Sequence, residues 1–192
     1  NGHVMDLADT LGTSYVRSKY LAYQQIKQSP FAKDVFILFP TLVLGAESPY
    51  PISHVSVGLQ QIKKWFKYLV FIKLNASFHF LHARDIAAVV VGLLSYKGSR
   101  REFVLGQAPV LLKDAFKSVS KKLNIYSFFK LPLSRHVILF LLKLFRIKYK
   151  PWDKYCLKRG HFVFPSTVSP TFFGLPSAYP TIETVVKKEL SS

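Results

Sequence analysis

The chain has 192 residues, 49% of them hydrophobic, with 27 Lys and Arg against 10 Asp and Glu and a formal net charge of +17. That length and apolar content are enough for one buried core and exclude an intrinsically disordered chain. Cys156 is the only cysteine, which excludes an intrachain disulfide and argues against a cysteine-based metal site.

In chain order, Asn1–Gly12 is polar, carries Gly2 and Gly12, and reads as a loop. Ser14–Lys27, SYVRSKYLAYQQIK, reads as a helix broken by Ser29-Pro30. Val35–Phe39 is a continuous apolar run of strand length, the pattern of a buried parallel strand. Pro40 and Thr41 follow at its carboxyl end, the place where open α/β sheets bind ligands. Ala46–Ser53, with Pro49 and Pro51, is expected to be a loop. Val55–Tyr68 fits a helix with Val57, Ile62, Trp65 and Phe66 as its apolar contacts.

Ser77–His82 reads as a strand running into a helix over Ile86–Leu94. Asp85 opens that helix, where its carboxylate suits the exposed amides of the first turn. His79 and His82, three apart, are expected on opposite sides of the strand, which argues against a shared metal, and no metal site is assigned. His82 and Arg84 stand at the strand end, with two readings open: contact with a cofactor or substrate, or packing and surface solvation. Glu102–Leu105 is a short strand, Gly106 begins a turn, and Leu112–Leu123 is a helix whose wet side carries Lys113, Asp114, Lys117, Lys121 and Lys122.

The apolar run Val137–Leu142 is interrupted by Lys143, far short of the ~20 residues of a membrane span. With Arg135, Lys143, Arg146 and Lys148 at its ends, the stretch 133–150 suits a lid or core helix over a hydrophobic substrate. It also suits a helix lying in a membrane interface and drawn to anionic lipid. Phe162–Pro180 holds four prolines and is expected to be looped; Thr181–Leu190 closes the chain as a short helix. Basic pairs recur throughout the chain rather than in one stripe, and no nucleic-acid-binding motif spacing is present, so nucleic acid is a disfavoured partner.

The chemistry concentrates on Tyr15 and Lys19, four residues apart and therefore on one face of a helix. A phenol ionises near pH ~10 and is a poor acid or base at neutrality. An ammonium at roughly 6 Å, with an effective dielectric of about 20, favours phenolate by ~3 kcal/mol. That corresponds to ~2 pKa units, enough to bring the phenol into the useful range for general acid–base catalysis. Tyr23/Lys27 and Tyr126/Lys130 share the spacing, so spacing alone does not single out a site.

Context does. YVRSKYLAYQQ followed by VFILFPTLVLGAES resembles the second half of the extended short-chain dehydrogenase/reductases, the NAD(P)-dependent epimerase/dehydratase group with dihydroflavonol-reductase-like and hydroxysteroid-dehydrogenase-like members. FHFLHARDIAAVVVGLL and REFVLGQAPVLLKDAFKSV resemble two further stretches of that family, in family order, so the likeness covers about residues 13–123. It implies an α/β fold: an incomplete Rossmann-like parallel sheet with flanking helices (1–123) and a C-terminal substrate-side cap (124–192). It also implies NAD or NADP as cofactor. Tyr15 would be the general acid–base and Lys19 its helper and a ligand of the nicotinamide ribose, while the Pro40, Thr41, Leu42 and Val43 backbone would contact the nicotinamide or its ribose. Phe39 departs from the family, where a polar residue is frequent before the proline.

The sequence contains no Gly-x-x-Gly-x-x-Gly turn, the element that holds a dinucleotide pyrophosphate, and no serine or threonine at the family's catalytic distance before Tyr15. The chain is therefore expected to be a C-terminal fragment, inactive by itself, of an oxidoreductase or epimerase acting on a small carbonyl or alcohol substrate. The expected location is cytoplasmic or membrane-peripheral, with oligomerisation left open. The competing expectation is a non-catalytic basic protein, membrane-peripheral or a scaffold, that retains the fold.

Overall fold

A computed structural model describes residues 2–45, 53–144, 146 and 148–191; the loop expected over 46–52 lies outside them. The helices are α1 Gly2–Leu11, α2 Ser14–Gln28, α3 His54–Leu69, α4 Ala83–Leu94, α5 Leu112–Leu123, α6 Arg135–Leu144, α7 Pro151–Arg159 and α8 Ile182–Glu189. The strands are β1 Ile37–Pro40, β2 Leu42–Leu44, β3 Ile72–Lys73, β4 Ser77–Phe78, β5 Phe80–His82, β6 Glu102–Leu105, β7 Val110–Leu111, β8 Leu131–Pro132 and β9 His161–Phe162. Two compact units result: Asn1–Phe36 with Ser134–Gly160, and Ile37–Leu133 with His161–Ser192. The boundary expected at 123/124 falls inside the second unit, because β8 pairs in parallel with β3, Ile72 opposite Leu131.

In the first unit α1 replaces the expected loop. Val4, Leu7, Ala8 and Leu11 recur at helical spacing, and Ala8 is buried. Gly12 lets the chain turn into α2: a Cβ there would lie 2.1 Å from the Ala8 carbonyl oxygen. Thr13 then caps α2, its hydroxyl accepting the Val16 amide at 3.3 Å. Arg17 Nε donates to Asp9 Oδ1 at 3.1 Å, an exposed pair linking the two helices.

The second unit is built on a strand that changes partner. β1 runs parallel to β6, with Ile37 opposite Glu102 and Pro40 opposite Leu105. The strand thus begins two residues later than the apolar run suggested and takes in Pro40. At Thr41 the chain crosses over: the Thr41 amide donates to Leu105 O at 3.1 Å, whereas the Leu42 amide donates to His79 O at 3.2 Å. From there β2 pairs with β5, Leu42 opposite Phe80 and Leu44 opposite His82. β4 is flanked by antiparallel β7 and parallel β9.

The core of this unit packs α3, α5 and α8 around Phe66, Val70, Val119, Val186 and Leu190, with Leu44, Phe80 and Val185 forming an adjoining cluster. Ser53 caps α3 through the Ser56 amide at 3.1 Å. The buried face of α3 is not the expected one. Phe66 is enclosed, but Trp65 is 63% and Val57 37% exposed, because α8 meets the face one residue round the helix. The side chain of Ile62 lies outside the described residues.

Candidate functional site

The Tyr15/Lys19 pair lies on α2, a helix with no buried residue. Lys19 Nζ sits 5.4 Å from the centroid of the Tyr15 ring, and the ring is 71% exposed. The helix also sets Ser18 Oγ on the Tyr15 carbonyl at 2.8 Å. Tyr126 and Lys130, by contrast, lie outside any helix, so their spacing does not place them on one face. Thr13 is occupied as the α2 cap. Chemically, the α2 face offers an accessible phenol with a cation beside it.

Pro40, Thr41, Leu42 and Val43 occupy the crossover between β1 and β2 in the second unit. Pro40 and Leu42 are exposed, Thr41 and Val43 half-buried. The Thr41 and Leu42 amides are engaged within the sheet, and Thr41 Oγ1 donates to Leu105 O at 2.8 Å. Gly106 makes room for this crossover: a Cβ there would come within 3.0 Å of Thr41 Oγ1 and 2.9 Å of His79 Cβ.

His82 and Arg84 separate. Arg84 is exposed. His82 is 1% exposed and caps α4, its Nδ1 accepting the Arg84 amide at 3.2 Å. Its ring stacks on Tyr179 at 3.8 Å between centroids, and Nε2 lies 3.9 Å from Glu189 Oε1 on α8. His82 is therefore enclosed by protein rather than open to a ligand. Burial pushes the Glu189 carboxyl above the ordinary carboxylate range, with Ser56 and the Lys188 charge acting the other way. His79 is also internal: Nε2 accepts the Phe164 amide at 3.0 Å, which leaves Nδ1 to donate to Gln107 O at 2.7 Å.

Asp85 is not the cap of its own helix. α4 begins at Ala83, and the buried Asp85 carboxylate instead accepts Ser177 Oγ at 2.9 Å, the Ala178 amide at 2.7 Å and the Tyr179 amide at 3.2 Å. Gln107 Nε2 joins through Ser177 Oγ at 2.7 Å. Sequence reading missed Glu189, Gln107 and Ser177. Glu189 could have been found, since it shares a helical face with Ile182, Val185 and Val186; the partners of Asp85 follow no local pattern. In the first unit, burial raises the Cys156 thiol pKa.

Parallel strand pairs, a crossover strand and covering helices define an α/β protein with Rossmann-like sheet segments. The chain is similar to the crystal structure of gox2253, with a TM-score of 0.60 and 16% identity over 92% of this chain and 55% of that one. It is also similar to L-threonine dehydrogenase from Phytophthora infestans, with a TM-score of 0.52 and 10% identity over 92% of this chain and 53% of that one. These likenesses establish the fold, a Rossmann-like fold found in a dehydrogenase. The chain spans about half the length of the solved structures it matches. No protein-family model matches the sequence, and no curated protein matches it.

Proposed function

We propose that this chain carries the proton-transfer residues of an NAD(P)-dependent oxidoreductase or epimerase of the short-chain dehydrogenase/reductase type, acting on a carbonyl or alcohol. The supporting observation is the exposed Tyr15 ring with the Lys19 ammonium 5.4 Å from its centroid. Tyr15 Oη donates a proton to a carbonyl oxygen in reduction and accepts it back in oxidation. Lys19 stands beside the phenol and holds ribose hydroxyls. When bound, NAD or NADP supplies the hydride.

In the first unit Tyr15 and Lys19 suit the nicotinamide end of such a cofactor; taken by itself, the crossover strand end in the second unit exposes Pro40 and Leu42. Because the Thr41 and Leu42 amides already serve the sheet, a ligand at this strand end would meet side chains or carbonyl oxygens. His82, being enclosed, supports the α4 start rather than touching substrate; Arg84 remains the substrate-side candidate. In a protein that also supplies a pyrophosphate-binding turn, Tyr15→Phe should lower turnover of NAD(P)H with a carbonyl substrate by about 10²–10⁴-fold. Its thermal transition should stay unchanged, because the ring is exposed. Unchanged turnover would overturn the reading.

A second reading, a basic membrane-peripheral role, is favoured by one observation. Val137, Phe140 and Leu144 recur at helical spacing on α6 and are 43%, 64% and 60% exposed, an exposed apolar stripe with Lys143 and Arg146 at its end. Among the described residues no helix is long and apolar enough to cross a membrane. Deleting 133–150 and retaining full sedimentation with membranes would count against this reading.

A further inference from the structure

A different surface, in the second unit, joins the C-terminal end of α3 to β3 and β8. Trp65 and Tyr68 stand one turn apart on α3, their ring centroids 6.2 Å apart. Phe71 follows, and its carbonyl accepts the Leu131 amide at 2.8 Å, which sets β8 alongside. Just before β8 the Phe129 amide donates to Ser127 Oγ at 3.2 Å, holding a turn from which Phe128 projects. Exposures are 63% for Trp65, 57% for Tyr68, 44% for Phe71 and 55% for Leu131, with Phe129 at 62% and Phe128 at 110%. Six large apolar side chains in two short paired segments form a surface feature of the kind that marks an interaction site.

The charges within both segments have one sign. Lys64, Lys67, Lys73 and Lys130 are all exposed, and the Lys67 ammonium lies 5.0 Å from the Tyr68 ring centroid. No Asp or Glu occurs between Glu47 and Asp85, or between Asp114 and Asp153. Both segments are therefore free of carboxylates.

We infer that this face docks on an anionic bilayer, with Phe128 and its neighbours entering the headgroup region and the lysines meeting acidic headgroups. Trp and Tyr carry a polar handle on an apolar body and settle at that depth. Lysines add sequence-independent attraction to anionic lipid. The fully projecting Phe128 favours a deformable partner over a polyanion, since nucleic-acid readers stack bases on ring faces laid along a cationic groove. The inference does not rest on the oxidoreductase reading, and its surface shares no residue with the α6 stripe.

The two tryptophans, Trp65 here and Trp152 on α7, make the test specific. The full chain carrying Trp152→Phe is mixed with vesicles of phosphatidylcholine and phosphatidylserine, about three to one, some with brominated acyl chains. Trp65 emission should shift to the blue and be quenched by bromine. Phe128→Ser with Phe129→Ser should lower partitioning by about tenfold, and each of Lys64→Gln and Lys67→Gln by about fivefold. Binding to phosphatidylcholine alone should be far weaker. Phe128, Phe129, Lys64 and Lys67 are exposed and Trp152 is half-buried, and an unchanged circular dichroism spectrum verifies the variants.

The inference is overturned if Trp65 is silent while the Trp65→Phe protein shows Trp152 quenched, which would assign the contact to the α6–α7 region. It is overturned also by absence of vesicle binding, or if the paired Phe→Ser substitutions abolish self-association or polynucleotide binding while leaving vesicle partitioning unchanged.

Discussion

The Asp85 carboxylate, in the first turn of α4, accepts the amide of Ala178 at 2.7 Å across 93 residues of chain. With Ser177 Oγ and the Tyr179 amide on the other oxygen, this single side chain fixes the segment that leads into α8. Charge-assisted hydrogen bonds to buried carboxylates are among the stronger local contributions to stability. Asp85→Ala should therefore lower unfolding free energy by about 3–4 kcal/mol in a urea titration. Ser177→Ala, which removes one neutral donor, should cost about 1 kcal/mol. An Asp85→Ala effect no larger than that of Ser177→Ala would contradict the account.

Glu189 gives a pH dependence with a definite sign. Burial raises its folded-state pKa above the ordinary carboxylate value of 4.5. Its protonated form is thus favoured in the native state, and the associated stability is fully present below pH 4.5 and lost as pH rises through the folded-state value. His82 Nε2 at 3.9 Å faces it from the start of α4, and Lys188 precedes it on α8. Glu189→Gln, close in shape and uncharged, should raise Tm at neutral pH by roughly 2–4 °C. The advantage should vanish on acidification; an advantage that persists unchanged at low pH would argue against burial as the cause.

Gly92 tests packing against propensity. In the interior of α4 an alanine should be about 1 kcal/mol better than glycine by helix propensity alone. A Cβ at Gly92, however, would lie 2.5 Å from Phe173 Cγ, inside an aromatic group that includes Tyr96, Phe103 and Phe172. Gly92→Ala should thus destabilise by about 1–2 kcal/mol. In a Phe173→Leu background the penalty should shrink, which a double-mutant cycle measures.

Lys121 and Glu183 join α5 to α8 at 2.9 Å. The mutual hydrogen bond, and then the partner's charge, raise the Lys121 pKa and lower that of Glu183. For Glu183 the sign is opposite to that of Glu189: the contribution is present above pH 4.5 and lost as pH falls through the lowered value. Both groups are exposed, so Glu183→Gln should change Tm by no more than the scatter between surface variants at moderate salt.

Local signals located much of the fold. Thr13, Ser53 and Thr181 each cap a helix where the sequence reading starts one, through the Val16, Ser56 and Thr184 amides. Helix α1 escaped because Gly2 and Gly12 suggested a loop and masked the Val4, Leu7, Leu11 spacing. The face that α3 buries was misread because Trp65 and Phe66 are adjacent and equally apolar; only the position of α8 chooses between them. His82 at a strand end left ligand contact and packing both open in the sequence, and the stacking of Tyr179 and approach of Glu189 that decide it come from a segment about a hundred residues downstream.

The sequence by itself determined the limits of α2, α3, α5 and α8 to within a residue, the strand at 102–105 and the shared face of Tyr15 and Lys19, because caps and periodicity act within one or two turns. Tertiary structure alone decided that the strand from Ile37 to Leu44 changes partner at Thr41, that Asp85 serves residues 177–179, and that His82 is enclosed. Each of those outcomes depends on burial and hydrogen bonding between segments distant in the chain, which no local pattern encodes.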